Sequence, residues 1–147
     1  MVKVFNTTSD KSIILIRLLV GLVFFSEGTQ KFLFPELIGV GRFEKIGFAN
    51  PEFWAYFVAC FEIVCGLMVS FGVLNRVSSI PLLIIMIVAF FATKTPILFQ
   101  KGFWQFAHEY RTDFAMTVSL IFLLIKGAGF YSVDYLLMKK KSVLEKS

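Results

Sequence analysis

Glu27, Lys31, Glu62 and Lys94 stand inside stretches that are otherwise long and apolar enough to cross a bilayer. An ionisable side chain at membrane depth costs about 2.5–3.5 kcal/mol on insertion scales, so it persists only when partnered or wetted. Asp113 joins them at the outer mouth of a fourth such stretch. Glu27 and Lys31 are one helical turn apart and can pair on one face. Ala59 and Gly66 flank Glu62 on its own face, where a neighbouring helix can approach closely, and Cys65 shares that face. Four helices can thus point one polar group each into a common pocket that opens outward. Within it a lysine can donate to a carbonyl oxygen and a carboxyl group can exchange protons. A plainer scheme uses the same residues as two neutralised pairs, Glu27–Lys31 and Glu62–Lys94, that lock the helices together.

The elements that must position these groups follow from composition. The chain has 147 residues, is 57% hydrophobic and carries 19 Phe, with a mean hydropathy of +0.77. A water-soluble domain of this size would expose far too much apolar surface. Four spans are expected, at about 13–34, 53–73, 77–99 and 110–131, the last with its apolar run at Phe114–Tyr131. Each can cross roughly 30 Å of hydrocarbon. Only helices fit, because lipid leaves unpaired backbone groups without partners and these runs lack barrel alternation. The expected fold is an all-α membrane protein, a four-transmembrane-helix bundle forming one domain over 1–147. The first span is expected to be retained, since Arg17, Glu27 and Lys31 interrupt it and no A-x-A-like site follows.

Short elements decorate this frame. Arg42 to Ile46, between Gly41 and Gly47, suggests an interfacial helix in the first outer loop. A second outer loop is expected from Gln100 to Thr112, with Trp104 in the interfacial aromatic belt. Ser132 can cap a short C-terminal cytoplasmic helix through Tyr135 and Leu137. Pro81 is expected in the first turn or so of the third span, where it costs little, and Pro96 should loosen that helix near its outer end.

Basic residues set the orientation. Lys3, Lys11, Arg76, Lys126, Lys139, Lys140, Lys141 and Lys146 fall on one side of the spans, against Arg42, Lys45, Lys101 and Arg111 on the other. The positive-inside rule then puts both termini in the cytoplasm. The Lys139–Lys141 run faces anionic headgroups in this scheme, with no nucleic-acid partner implied.

Several chemistries are excluded. A bis-His haem needs two histidines and His108 is the single one. Zinc and copper lack ligands, no C-x-x-C motif is present, and no Gly-rich phosphate loop follows a strand. No metal site is expected. Cys60 and Cys65 lie five residues apart on one helix, so their Cα atoms are roughly 8–9 Å apart, beyond disulfide reach.

Three segments carry a resemblance. They are Leu15-Ile16-Arg17-Leu18-Leu19-Val20-Gly21 continuing to Gly28 and Lys31-Phe32, then Phe61-Glu62-Ile63-Val64-Cys65-Gly66 with Gly72 and Arg76, and finally Gly127-Ala128-Gly129-Phe130-Tyr131-Ser132-Val133-Asp134. In this order they resemble the DoxX family of small bacterial membrane proteins. The resemblance implies a four-helix bundle in the bacterial inner membrane. Some relatives are subunits of a thiosulfate:quinone oxidoreductase, and others are associated with thiol or oxidative-stress defence. Lys31 and Glu62 match the family pattern; Cys60 and Cys65 do not. Arg17 and Asp134, at the cytoplasmic ends of the first and fourth spans, are expected to pair.

Two classes of function follow. One is a redox-linked subunit whose pocket of Glu27, Lys31, Glu62, Lys94 and Asp113 holds a quinone head group, with electrons supplied by a protein partner because the chain has no electron carrier of its own. The other is a non-catalytic scaffold that anchors a periplasmic or membrane partner, with the polar cluster structural. A lipid or small-molecule carrier has little room for alternating access in four short helices.

Overall fold

The first helix, α1 (Ile13–Leu33), begins where Asp10 accepts bonds from the Ser12 amide at 2.9 Å and the Ser12 hydroxyl at 2.7 Å. Those bonds hold the Asp10 carboxyl below its ordinary range. The structure, a computed structural model, describes residues 7–144, except the side chains of Lys141, Val143 and Leu144. Lys3 and Lys146, counted above toward orientation, lie outside the described residues.

After α1 come α2 (Val40–Ile46), α3 (Pro51–Phe71), and α4 (Asn75–Ala89), which runs through a π-helical turn at Phe90–Lys94 into α5 (Thr95–Lys101). Then follow α6 (Phe103–Lys126) and α7 (Val133–Leu144), and no strand occurs among the described residues. α1 packs on α3, α3 on α4, α4 on α6, and α6 back on α1, while α2 lies against α3. Val20, Phe24, Val69, Leu82 and Leu120 fill the middle of this ring. Side chains such as Leu15, Leu22, Val64 and Ile84 stay exposed on the outside, as a lipid solvent requires. Among the described residues, three helices are long and apolar enough to cross a membrane: Ile13–Leu33, Pro51–Phe71 and the continuous rod Asn75–Lys101.

Small residues set the tightest contact, between α1 and α3. A Cβ on Gly66 would stand 2.8 Å from the Gly21 carbonyl oxygen and 2.9 Å from the Phe25 nitrogen. Both neighbours are backbone and cannot yield without moving a helix. Gly66→Ala should therefore lower stability by about 1–3 kcal/mol through overpacking. Thermal unfolding in detergent checks this, and an unchanged midpoint would show that α1 and α3 can separate freely.

The third rod departs from expectation in two ways. It starts at Asn75, earlier than 77, so Pro81 lies inside the helix rather than in its first turn. Toward its C-terminal end Pro96 has no N–H for the Ala92 carbonyl and its ring crowds that group, which accounts for the widened π turn just before it. The expected second outer loop is also largely helical. Gly102, at φ +83°, makes the only break between α5 and α6. From Phe103 onward the rings of Phe106 and Tyr110 stack at 5.4 Å, and Gln105 bonds Glu109 one turn on. The fourth long helix thus spans 103–126 instead of 110–131, ending where Gly127 and Gly129 take positive φ.

At the opposite end of the bundle, the expected Arg17–Asp134 pair is replaced by two separate main-chain anchors. Arg17, 3% exposed, donates to the carbonyls of Ser70 at 3.1 Å, Ala128 at 2.7 Å and Tyr131 at 2.5 Å. Asp134 accepts from the Leu74 and Asn75 amides at 2.8 and 2.9 Å, capping the start of α4. The physical reason is local. The Gly127–Tyr131 turn and the Ser70 end of α3 expose carbonyls that only a guanidinium can serve together. The α4 N-terminus supplies the amides and positive dipole end that a carboxylate seeks. Ser132 caps α7, its hydroxyl accepting from the Tyr135 amide at 3.1 Å.

Candidate functional site

Close approach of α1 and α3 decides the first ion pair. A Cβ on Gly28 would lie 2.7 Å from the Ala59 carbonyl, so the two backbones nearly touch there. One turn further along α1, Lys31 meets Glu62 across the interface, Nζ to Oε2 at 2.6 Å. Lys31 is 7% exposed and Glu62 4%. The expected Glu27–Lys31 pair does not form. Lys31 turns across to α3, and half-buried Glu27 has no ion-pair partner among the described residues.

The expected Glu62–Lys94 pair does not form either. Glu62 lies eleven residues below the start of α3, roughly 16 Å down, whereas Lys94 is seven residues, roughly 10 Å, below the end of α5. The π turn presents Lys94 to α6 instead. Its Nζ donates to the Glu109 carbonyl at 2.9 Å and lies 3.3 Å from Asp113 Oδ2. Two ion pairs therefore stand on opposite walls of the bundle, one joining α1 to α3 and the other joining the π turn to α6.

Between them is a cavity of about 590 Å³. Glu27, Lys31, Glu62, Lys94 and Asp113 all line it, so the five residues singled out in the sequence converge on one space. The remaining wall is chiefly apolar, with Phe24, Val58, Ile85 and Met116 among its members. Sequence reasoning missed contributors from three helices. Arg42, Phe43 and Ile46 of α2 line the cavity, and their spacing along a short helix was the available signal. Glu109 is one turn before Asp113 on α6 and shares its face. Trp54 and Phe57 approach from α3. His108 takes no part: it is exposed and accepts a bond from Arg111 at 2.9 Å. Both cysteines are free, Cys60 exposed and Cys65 buried.

Comparison with known proteins places this architecture. The DoxX family profile matches residues 12–95, more than half of the chain and including Lys31, Glu62 and Lys94. The chain belongs to the DoxX family. The Gly127–Asp134 segment lies beyond the matched stretch. The chain is 46% identical over 144 residues to uncharacterized membrane protein Rv3486 of Mycobacterium tuberculosis, covering 94% of this chain and 88% of that one. It is also 28% identical over 136 residues to a Bacillus subtilis protein named "Putative oxidoreductase CatD", covering 92% and 94%. No solved structure matches it. As a DoxX member with apolar helices of spanning length, the protein is a membrane protein.

Proposed function

We propose that this DoxX protein is a single-domain, four-span component of the bacterial inner membrane whose cavity holds a quinone head group for a redox partner. The observation that carries the reading is the convergence of five ionisable side chains from α1, α3, the π turn and α6 on one apolar-walled cavity. Its volume falls in the range of small-molecule sites, about 300–1,000 Å³. Lys31 donates to Glu62 and, as an ammonium with three N–H groups, keeps donors for a ligand oxygen. Lys94 offers a second cation on the facing wall. Glu27, which has no ion-pair partner among the described residues, is the carboxyl group suited to pass protons toward the outer face. A quinone bound there would supply the redox chemistry that the side chains lack, and the external partner the electrons. The name of the Bacillus relative agrees with an oxidoreductase role.

The test is equilibrium binding of a tail-less quinone, followed by quenching of Trp54, which lines the cavity. With Trp104 replaced by Phe, Trp54 is the only indole left in the chain. Saturable quenching is expected. Quenching that rises linearly without saturation would contradict a bound head group.

A second reading, an anchor for a periplasmic partner, is favoured by one feature. Phe99, Phe103 and Trp104 at the α5–α6 tip are 82%, 61% and 83% exposed. Under that reading the two ion pairs are purely structural. Recovery of a dehydrogenase with the native complex supports the first reading, and recovery of an export or structural partner the second.

In the proposed orientation α6 is the fourth span and both termini are cytoplasmic, with α2 on the outer surface and α7 on the inner. Ser147 lies outside the described residues, and Gly47 and Gly102 adopt positive φ that disfavours a side chain. Exposed Lys45, Lys101 and Lys139 are better reporters. With Cys60 and Cys65 replaced by Ala, a cysteine at Lys45 or Lys101 should react with an impermeant maleimide in intact cells. One at Lys139 should not. The reverse labelling would overturn the orientation.

A further inference from the structure

Phe57 borders two spaces at once. It lines the polar cavity and also an open groove of about 630 Å³ on the outer side of α3. That groove passes over Phe53, Tyr56, Cys60 and Phe61, with Asn50 and Glu52 at the end nearest the start of α3. Its surface is a ladder of rings, with Phe53–Phe57 centroids 5.7 Å apart and Phe57–Phe61 centroids 4.9 Å apart. Across the cavity on α4, Ile84 and Val88 line the same space yet remain 55% and 46% exposed. Phe57 itself is 44% exposed. The cavity wall is therefore apolar where it reaches the surface of the bundle, roughly 9 Å below the start of α3, at a depth that faces hydrocarbon in a spanning helix.

We infer that the cavity takes a membrane-resident amphiphile, a quinone with a long isoprenoid tail, whose head lies between the ion pairs and whose tail leaves past Phe57 along the α3 groove. This rests on the quinone-head reading of the cavity and adds the route and the tail subsite. The lateral opening offers side chains of Phe, Ile and Val that suit an apolar tail, while Arg42, Glu109 and Thr112 line the same cavity and suit a polar head. A tail loses nothing by staying in the membrane while its head turns inward, because lipid and groove are equally apolar. The groove acts by packing against flat rings, and Phe57 holds the junction where head and tail meet.

The experiment uses wild-type protein in nanodiscs and a long-tailed quinone carrying a diazirine midway along its tail. Photolabelling should map to the Phe53–Phe61 segment of α3. With the probe well below its own Kd, a tail-less quinone at about a hundredfold over its Kd should suppress that labelling by about a hundredfold through mass action. Phe61→Ala, which removes a groove ring that does not line the cavity, should reduce labelling while leaving binding of the tail-less quinone unchanged. If the tail-less quinone binds but labelling persists, or maps elsewhere, the tail route is wrong and the head site stands. If the tail-less quinone does not bind at all, the quinone reading fails and the tail route with it.

Discussion

Glu62→Gln should destabilise the protein by about 3–5 kcal/mol, the usual effect of removing one partner from a buried ion pair. Glu62 and Lys31 side chains are 6% and 9% exposed and bonded at 2.6 Å, so the amide would leave the Lys31 ammonium without its counter-charge. The remedy follows from the geometry. Lys31→Met in the same chain removes the orphaned charge and should return most of the lost stability, whereas Lys94→Met should not. Lys94 belongs to the other pair, with Asp113. Thermal unfolding of the three variants in detergent separates these cases. Recovery by Lys94→Met instead would mean that the pairing of Lys31 with Glu62 is not the one that stabilises the bundle.

Arg17→Ala should be comparably damaging, for a different reason. It strips hydrogen bonds from the carbonyls of Ser70, Ala128 and Tyr131, which tie α3 and the turn before α7 to α1. Each buried group left unpaired costs about 1–3 kcal/mol, so the total should reach at least about 3 kcal/mol. Arg17→Lys should recover only part of this, since a single ammonium cannot reproduce the planar fork that reaches three carbonyls. Asp134→Ala should add its own loss, because Asp134 caps α4 and does not bond Arg17. The double variant should be no more stable than the sum of the singles. Mutual compensation between the two substitutions would restore the direct pair as the better description.

Much of this molecule was legible because the bilayer constrains it so strongly. The apolar runs at α1, α3 and the Asn75–Lys101 rod are visible in the sequence, since only helices satisfy their own backbone groups in lipid. The five ionisable residues stood out for the same reason, and all five meet one cavity. Their partners were not legible. Pairing on one helix face favoured Glu27–Lys31, but the Gly28 contact with Ala59 brings α3 near enough for Glu62 to take Lys31 instead. Depth counted from the helix ends could have separated Glu62 from Lys94. The π turn that aims Lys94 at Asp113 is a response to Pro96 that periodicity does not encode. Arg17 and Asp134 were correctly seen as lying at one end of the bundle. Opposite charge suggested a pair, yet exposed carbonyls and a bare helix N-terminus gave each a main-chain partner.

The cavity's role as a quinone-head site is tested most directly by thermal unfolding with and without a tail-less quinone. At about a hundredfold excess over the dissociation constant, a bound ligand stabilises the folded state by about 2.7 kcal/mol. Wild type should show that gain. The Lys31→Met/Glu62→Gln variant, expected to fold because its pair is removed as a unit, should lose most of it. An absent gain in wild type, or an equal gain in the double variant, would contradict a head group held by this ion pair.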